Sequence, residues 1–158
     1  MPHIHDKIDF TAEAFVVCGD KVLLRLHDKF EIWLSIGGHI ELDEDPLEAV
    51  VREVKEEVGL DIKIIGEAKG PMDGEDENRG YKYLIPPRYL GRHPVSNTHE
   101  HIVFVYFATS NTDVIKDSTN VHERSDTRWV NREELDKMEL IPNVRFYAEE
   151  ALKELGKK

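Results

Sequence analysis

The sequence predicts an α/β fold, and three observations support this class. Apolar, β-branched runs typical of strands alternate with segments whose apolar residues recur at three- and four-residue spacing, as in amphipathic helices. A chain of 158 residues that is 40% hydrophobic and 34% charged suits one globular domain with its own core. The longest apolar run, Ile102 to Ala108, is far shorter than the roughly 20 residues of a membrane span, so no transmembrane helix is expected.

The first part of the chain contains a predicted hairpin. The runs Phe10 to Cys18 and Val22 to Leu26 are typical of strands, and Gly19-Asp20-Lys21 supplies the turn. A third strand is predicted over Glu31 to Ile36. We expect the Gly37-Gly38 pair to end it, because consecutive glycines disfavour continued pairing.

A helix between Asp45 and Gly59 has the clearest boundaries. Asp45 is a good N-cap, Pro46 suits the first helical position, and Glu48 completes a capping box. Gly59 is expected to end the helix. One apolar stripe, predicted to pack on a sheet, contains Leu47, Val50, Val51, Val54 and Val58.

The second half of the chain predicts more strands and two more helices. Asn131 with Glu134 forms a second capping-box pattern, and Pro142 begins an amphipathic C-terminal helix. The acidic, glycine-containing segment 67–78 is expected to be a surface loop. The predicted strands are Asp61 to Gly66, Tyr81 to Ile85, Ile102 to Ala108, which is apolar on both faces and therefore central, and Arg128 to Val130.

The charge and the single cysteine restrict the function classes. A net charge of -11 argues against a general binder of nucleic acid or anionic membranes, since both depend on basic patches. Cys18 lies in an apolar run, which favours a buried strand cysteine over a nucleophile. The first ten residues lack the basic start and apolar stretch of a secretory signal, so a cytoplasmic location is predicted.

Three carboxylates share one face of the first helix. At 100° per residue, Glu53, Glu56 and Glu57 fall within an arc of about 100°, beside the apolar stripe. Each pair of like charges at three- or four-residue spacing destabilises a helix by roughly 0.2 to 0.5 kcal/mol. A solvated acidic face is one explanation. The other is a site for Mg²⁺ or Mn²⁺, which prefer clusters of hard oxygen ligands.

The spacing of residues Gly38 to Leu60, GHIELDEDPLEAVVREVKEEVGL, resembles the Nudix box. Gly38, Glu44, the Arg52-Glu53 pair, the Glu56-Glu57 pair and Gly59 all match, as do the aliphatic positions. The order of elements around the box is also similar to the Nudix fold. The resemblance implies one Nudix hydrolase domain over residues 1–158, with an α/β/α sandwich around a mixed β-sheet. One departure is Ile36, where many members have proline.

The resemblance also implies a reaction and its metal ligands. It implies a Mg²⁺- or Mn²⁺-dependent hydrolase that splits the phosphoanhydride bond of a nucleoside diphosphate linked to another group. Glu56, Glu57 and the Gly37 carbonyl would be metal ligands. Glu53 would be the general base or a further ligand.

Other residues are predicted to support the site or to contact the substrate. Arg52 with Glu44 would orient the box helix, the alternative being a surface ion pair between Arg52 and Glu56. Arg25 is predicted to reach a substrate phosphate, although a solvent-facing strand arginine fits the pattern equally well. Gly38 and Tyr106 are the other predicted substrate contacts, and the alternative for Tyr106 is a core aromatic.

Several acidic and histidine residues outside the box carry open interpretations. Glu100, Glu123 and Asp126 are candidate additional carboxylates near the site. A second cluster, of three histidines and one glutamate, has two interpretations. One is a transition-metal site, and the favoured one is that the histidines line a pocket or form hydrogen bonds to loops. This cluster contains His93, His99, Glu100 and His101.

The default substrate is a nucleoside triphosphate, giving the monophosphate and pyrophosphate. Alternatives are hydrolysis of ADP-ribose or dinucleoside polyphosphates, and a non-catalytic module that binds nucleotides. Isoprenoid diphosphate isomerisation would need Cys18 at the site, and the charge balance opposes RNA decapping. The expected partner is a small nucleotide-type substrate, without extended nucleic acid or membrane, and a homodimer is left open.

Overall fold

A computed structural model of the protein describes residues 7–27, 30–71, 78–116 and 126–157. These residues form eight strands in one sheet and three helices of at least six residues. None of the helices in these ranges is both long and apolar enough to span a bilayer. The elements are β1 (Ile8–Cys18), β2 (Lys21–His27), β3 (Ile32–Leu34), β4 (Ile36–His39), α1 (Pro46–Val58), β5 (Ile62–Ile64), β6 (Tyr89–Ser96), β7 (His99–Ser110), β8 (Thr127–Val130), α2 (Arg132–Lys137) and α3 (Pro142–Leu155).

Strand β1 lies at the centre of the sheet. It runs parallel to β7, with Asp9 opposite His101 and Val17 opposite Thr109, and antiparallel to β2 and β4. The main strand order is β3-β2-β1-β7-β5, while β4 pairs with β1, β6 with β7 and β8 with β2. One parallel pair among antiparallel ones makes the sheet mixed, as the resemblance implied.

Helices cover both faces of this sheet. Because side chains alternate along a strand, Ala12 and Ala14 of β1 share a buried cluster with Val50 and other residues of α1. Phe15 lies on the opposite face, in a cluster with Ala148 and other residues of α3. The expected α/β/α sandwich is confirmed.

The predicted end of the third strand at Gly37-Gly38 is wrong. The chain forms β3 and then a separate strand, β4, in which Gly38 pairs with Ala12 and Gly37 with Glu13. A methyl group on Gly37 would collide with the backbone of Ala12 and Glu13. Here glycine permits a close approach of two strands instead of ending one.

The prediction of a strand over Tyr81 to Ile85 is also wrong. That segment has no regular secondary structure, and the strand missed by sequence reasoning is β6. Strand β6 is largely exposed and contains Gly91 and Pro94, so it lacks the alternating apolar pattern of a half-buried strand. Its pairing comes from the backbone of β7, with a register irregularity between Pro94 and Ser96.

The predicted caps of α1 are confirmed. The Asp45 carboxylate accepts hydrogen bonds from the backbone N–H groups of Leu47 and Glu48, and Glu48 accepts one from Asp45 N–H. Gly59 ends the helix in the left-handed conformation, with φ of 68°. Val51 is the exception to the predicted stripe, because it is exposed and not packed on the sheet.

Candidate active site

Strand β4 presents the Gly37 carbonyl away from β1. Ile40 N–H donates to Phe10 C=O at 2.9 Å, and residues of an antiparallel pair point toward and away from the partner in alternation. The backbone N–H and C=O groups of Gly37 and His39 therefore point away from β1. On that side the His39 carbonyl accepts a hydrogen bond from Arg52 Nη2 at 3.1 Å. The Gly37 oxygen thus points away from β1, to the side on which Arg52 lies.

Glu53 of α1 packs directly on Gly38. A methyl group at position 38 would lie 2.6 Å from the carboxyl carbon of Glu53, well inside van der Waals contact. Only glycine leaves room for the carboxylate in this place. The glycine at this position of the box pattern therefore has a steric explanation in this chain.

Arg52 connects the acidic residues of the box. Its Nε and Nη2 bind the two carboxylate oxygens of Glu44 at 3.0 and 2.6 Å, a bidentate pair. Its Nη1 binds Glu53 Oε1 at 2.8 Å and Glu56 Oε2 at 3.2 Å. The hydrogen bonds that Arg52 donates to Glu44 hold the pKa of Glu44 below its ordinary value, and the same bonds raise the pKa of Arg52. Both interpretations of Arg52 thus occur, since it orients Glu44 and also pairs with Glu56.

Glu57 lies deeper than its neighbours on α1. Its side chain is 7% exposed, and Oε1 lies 2.9 Å from Nη1 of Arg25 on β2. Arg25 is itself only 14% exposed, so the solvent-facing alternative for this arginine is wrong. Glu56, in contrast, keeps half of its side chain in solvent.

These groups form a donor set that suits a hard divalent cation. Three carboxylates and one outward-facing carbonyl offer the oxygen ligands that Mg²⁺ and Mn²⁺ prefer. Arg25 contacts Glu57 and Arg52 contacts Glu53 and Glu56, which offsets the repulsion between neighbouring carboxylates. The arrangement fits the predicted metal centre.

One cation near the start of the box helix escaped sequence reasoning. Lys82 Nζ lies 2.5 Å from Asp45 Oδ2 and 3.1 Å from Glu48 Oε1. Burial raises the pKa of Asp45, but hydrogen bonds from Lys82 and from backbone N–H groups together lower it by more. The pKa of Asp45 is therefore below its ordinary value. Lys82 is 37 residues away along the chain, so no local pattern indicates this pair.

A half-buried acid on β1 also escaped sequence reasoning. Ser35 Oγ donates to Glu13 Oε2 at 2.7 Å, and burial raises the pKa of Glu13 despite this bond. Glu13 lies between Ala12 and Ala14 in an otherwise apolar stretch that ends at Cys18. Its side chain points to the face of β1 opposite to theirs. An acidic residue inside such a run is the signal that was available.

The predicted contact of Tyr106 with substrate is wrong. Its side chain lies in the cluster that packs on α1 and is 2% exposed, and burial raises its pKa to about 12. A ring covered this completely has no face on which a base can stack. Tyr106 is a core aromatic, as its strand position also allowed.

The additional carboxylates have different surroundings. Glu100 forms ion pairs with Lys7 and Arg92, and the hydrogen bond from Arg92 lowers its pKa. The backbone carbonyl of Asp126 accepts from Leu26 N–H at 2.8 Å, which extends the pairing of β8 with β2. Glu123 lies outside the described residues.

The histidine cluster forms with a different membership. His99 and His101 lie with Asp9 and His39, and their ligand atoms fall within 4.8 Å of one another. Burial and the neighbouring imidazoles lower the pKa of His101. Glu100 alternates with these histidines along β7 and so points to the opposite face, whereas Asp9 and His39 come from strands that sequence reasoning did not connect with them.

Comparison with known proteins identifies a family model and a curated relative that match this chain. A family model described as a NUDIX domain matches residues 11–150. An RNA pyrophosphohydrolase from Marinomonas sp. (strain MWYL1) is 34% identical over 105 residues, which are 62% of this chain and 59% of that protein. The chain therefore spans about three fifths of the length of this curated relative.

Solved structures match over almost the whole chain. A hydrolase of the NUDIX family from Clostridium perfringens has 38% identity and a TM-score of 0.80, covering 93% of this chain and 97% of that one. A MutT NUDIX hydrolase from Burkholderia pseudomallei has 19% identity and a TM-score of 0.61, covering 95% and 99%. The second match supports the fold alone.

Proposed function

Because this chain belongs to the Nudix hydrolase family, we propose that it hydrolyses the phosphoanhydride bond of a nucleoside diphosphate linked to another group, with Mg²⁺ or Mn²⁺. Hydrolases of this family act on pyrophosphate bonds. The observation that carries the proposal is the acidic face of α1, where Arg52 binds Glu53, Glu56 and the His39 carbonyl. On the same helix Glu57 is paired with Arg25, and the Gly37 carbonyl points away from β1 as the His39 carbonyl does.

Glu56, Glu57 and the Gly37 carbonyl would hold the cation. When bound, it neutralises phosphate charge and acidifies a bound water. Glu57 is positioned by Arg25, and Glu56 by Arg52. The half-exposed Glu56 carboxylate faces the solvent from which an anionic substrate arrives.

Glu53 is the general base or a further ligand. Its carboxylate is confined between Gly38 and the Arg52 guanidinium, which removes rotational freedom before the substrate binds. Arg52, itself tied to Glu44, acts as a positioning residue for Glu53. The Glu53→Gln variant distinguishes the two roles. Loss of turnover with unchanged Mg²⁺ affinity indicates that Glu53 is the general base, and a weakened Mg²⁺ affinity indicates a metal ligand.

The proposed substrate is a nucleoside triphosphate, cleaved to the monophosphate and pyrophosphate. A second candidate comes from the relative named as an RNA pyrophosphohydrolase, and it is the triphosphorylated 5′ end of RNA. Both substrates contain the same type of phosphoanhydride bond. The net charge of -11 favours the free nucleotide, because contacts to an RNA chain gain from basic surface.

The test is a product-resolved screen with Mg²⁺ and with Mn²⁺. Nucleoside triphosphates, 5′-triphosphorylated oligoribonucleotides, ADP-ribose, dinucleoside polyphosphates and nucleotide sugars are incubated with wild type and with Glu57→Gln. We expect one substrate class to be hydrolysed by wild type, with a loss in the variant of about a hundredfold or more. Tight nucleotide binding without any product would favour the non-catalytic module, and undiminished turnover in Glu57→Gln would refute the assigned site.

Residues 1–158 are proposed to act as one hydrolase domain, in the cytoplasm, on a small nucleotide-type substrate. Sedimentation of the full chain, with and without nucleotide and Mg²⁺, would measure the oligomeric state.

A further inference from the structure

A second group of ligating side chains lies outside the carboxylates of the box. It comprises Asp9 of β1, His39 at the end of β4, and His99 and His101 of β7. One ligand atom from each residue falls within 4.8 Å of the others. We call these four residues the histidine–aspartate cluster.

The register of the sheet explains why these side chains meet. Asp9 is paired with His101 in the parallel β1–β7 ladder, so their side chains point to the same face. His39 is paired with Thr11, two residues from Asp9, and His99 is two residues from His101. Alternation along each strand therefore brings all four side chains to one face of three adjoining strands.

This face is the one opposite α1. Ala12 and Ala14, at even positions of β1, pack with the box helix, whereas Phe15 packs with α3. Asp9 has the same parity as Phe15, and the β1–β7 register from Ile8 to Val17 is unbroken. The sheet therefore separates the cluster from the carboxylates on α1, although His39 directly follows Gly38.

The distances suit tetrahedral coordination. His39 Nε2 lies 3.2 Å from His101 Nε2, and Asp9 Oδ2 lies 3.1 Å from His99 Nε2 and 3.8 Å from His39 Nε2. With Zn–N bonds of about 2.0 to 2.1 Å, the ligand atoms of a tetrahedral zinc site are about 3.3 Å apart. The two shorter separations are close to that spacing, and the remaining pairs, all within 4.8 Å, would draw closer around a bound ion.

The donor types select the metal. Imidazole nitrogens with one carboxylate suit Zn²⁺ and other late first-row ions, whereas Mg²⁺ and Ca²⁺ prefer all-oxygen sites. The side chains of His39 and Asp9 are 57% and 49% exposed, which leaves an open path for an ion to enter.

We propose that Asp9, His39, His99 and His101 bind one transition-metal ion, Zn²⁺ first among them, at a site separate from the box carboxylates. Four protein ligands complete a tetrahedron and leave no open position for a substrate. The ion therefore acts structurally. It links β1, β4 and β7 next to Gly37 and His39, whose backbone carbonyls point away from β1.

The test uses untagged, full-length protein freed of metal with a chelator, because a polyhistidine tag would compete. Zn²⁺ is titrated calorimetrically in the presence of excess Mg²⁺, which occupies hard-oxygen sites. Co²⁺ is added in parallel, since its visible bands distinguish tetrahedral from octahedral coordination. We expect one Zn²⁺ per chain and a tetrahedral Co²⁺ spectrum, and an octahedral spectrum or no saturable binding would overturn the proposal.

Variants assign the ligands. His99→Ala and His101→Ala should each weaken Zn²⁺ binding by more than about tenfold, the loss that removal of even a supporting partner causes at metal sites. His93→Ala is the matched control, because its ring lies 5.3 Å from that of His101 but it is not among the four. Glu57→Gln should bind Zn²⁺ as wild type does. An equal loss in His93→Ala, or a complete loss in Glu57→Gln, would refute this ligand set, and His99→Gln repeats the test if an alanine variant fails to fold.

Discussion

Arg25 Nη1 lies 2.9 Å from Glu57 Oε1, and the two side chains are largely withdrawn from solvent. The pair joins β2, near the edge of the sheet, to the last turn of the box helix. Glu57 is also a proposed ligand of the cation. A single buried contact thus connects the stability of the fold with the charge balance of the site.

Replacement of Arg25 by alanine should destabilise the metal-free protein. Removing one partner of a buried ion pair costs about 3 kcal/mol or more, and added Mg²⁺ should restore part of this by taking the place of the guanidinium. Chemical denaturation with and without Mg²⁺ measures both effects. The control is Arg128→Ala, which breaks an exposed pair with Glu134 and should cost less than about 1 kcal/mol. A loss in Arg25→Ala that Mg²⁺ does not reduce would contradict the coupling.

Gly38→Ala should impair turnover while leaving the fold intact. The added methyl group meets only the end of the flexible Glu53 side chain, so the carboxylate moves and the backbone does not. We expect kcat to fall about tenfold to a hundredfold, as for a misplaced catalytic group, with a nearly unchanged Tm. Gly91→Ala is the control, because no atom lies within 4 Å of a methyl group there. Wild-type kcat in Gly38→Ala would show that the position of Glu53 is not critical.

Arg52→Lys should reduce kcat although the positive charge is kept. Lysine cannot bind both oxygens of Glu44 and also reach Glu53 and the His39 carbonyl, so Glu53 loses its orientation. Loss of such supporting contacts typically costs about tenfold to a hundredfold. Steady-state kinetics over a range of Mg²⁺ concentrations separate a change in kcat from a change in metal affinity. Arg145→Lys, at an arginine that binds the Leu135 and Met138 carbonyls, controls for the substitution itself.

Glu13→Gln should stabilise the protein increasingly as pH rises. Burial raises the pKa of Glu13 in the folded state, so the folded state binds its proton more tightly than the unfolded state does. The resulting stability is present below the ordinary glutamate pKa of about 4.3 and is lost as pH rises through the folded pKa. Glutamine keeps the acceptor for Ser35 Oγ without the charge.

Melting temperatures of wild type and Glu13→Gln between pH 4 and pH 8 measure this difference. The gain of the variant should be smallest at the acid end, where the wild-type carboxyl is protonated. Glu67→Gln, at an exposed position, should give no comparable trend. A gain of the same size at every pH would indicate a packing effect instead of a titration.

Local patterns in the sequence predict the corresponding parts of the structure correctly. Asp45, Glu48 and Gly59 predict the limits of α1, because caps depend on residues within one turn of each helix end. The box spacing likewise predicts which carboxylates lie beside Arg52. The sequence pattern does not predict β6, because its exposed residues show no apolar alternation. It also does not predict the strand at Gly37-Gly38, because that pairing with β1 depends on the fit between two strands.

The sequence by itself determined the family, the acidic helix face and the chemistry that these residues suit, since spacing along one helix decides which side chains share a face. Only the tertiary structure decided that Arg25 neutralises Glu57, that the Gly37 carbonyl faces the box and that Tyr106 is a core residue. It also decided that Asp9 and His39 join His99 and His101. The physical reason is that strand register and helix packing bring together residues far apart in the chain, and no local pattern records those distances.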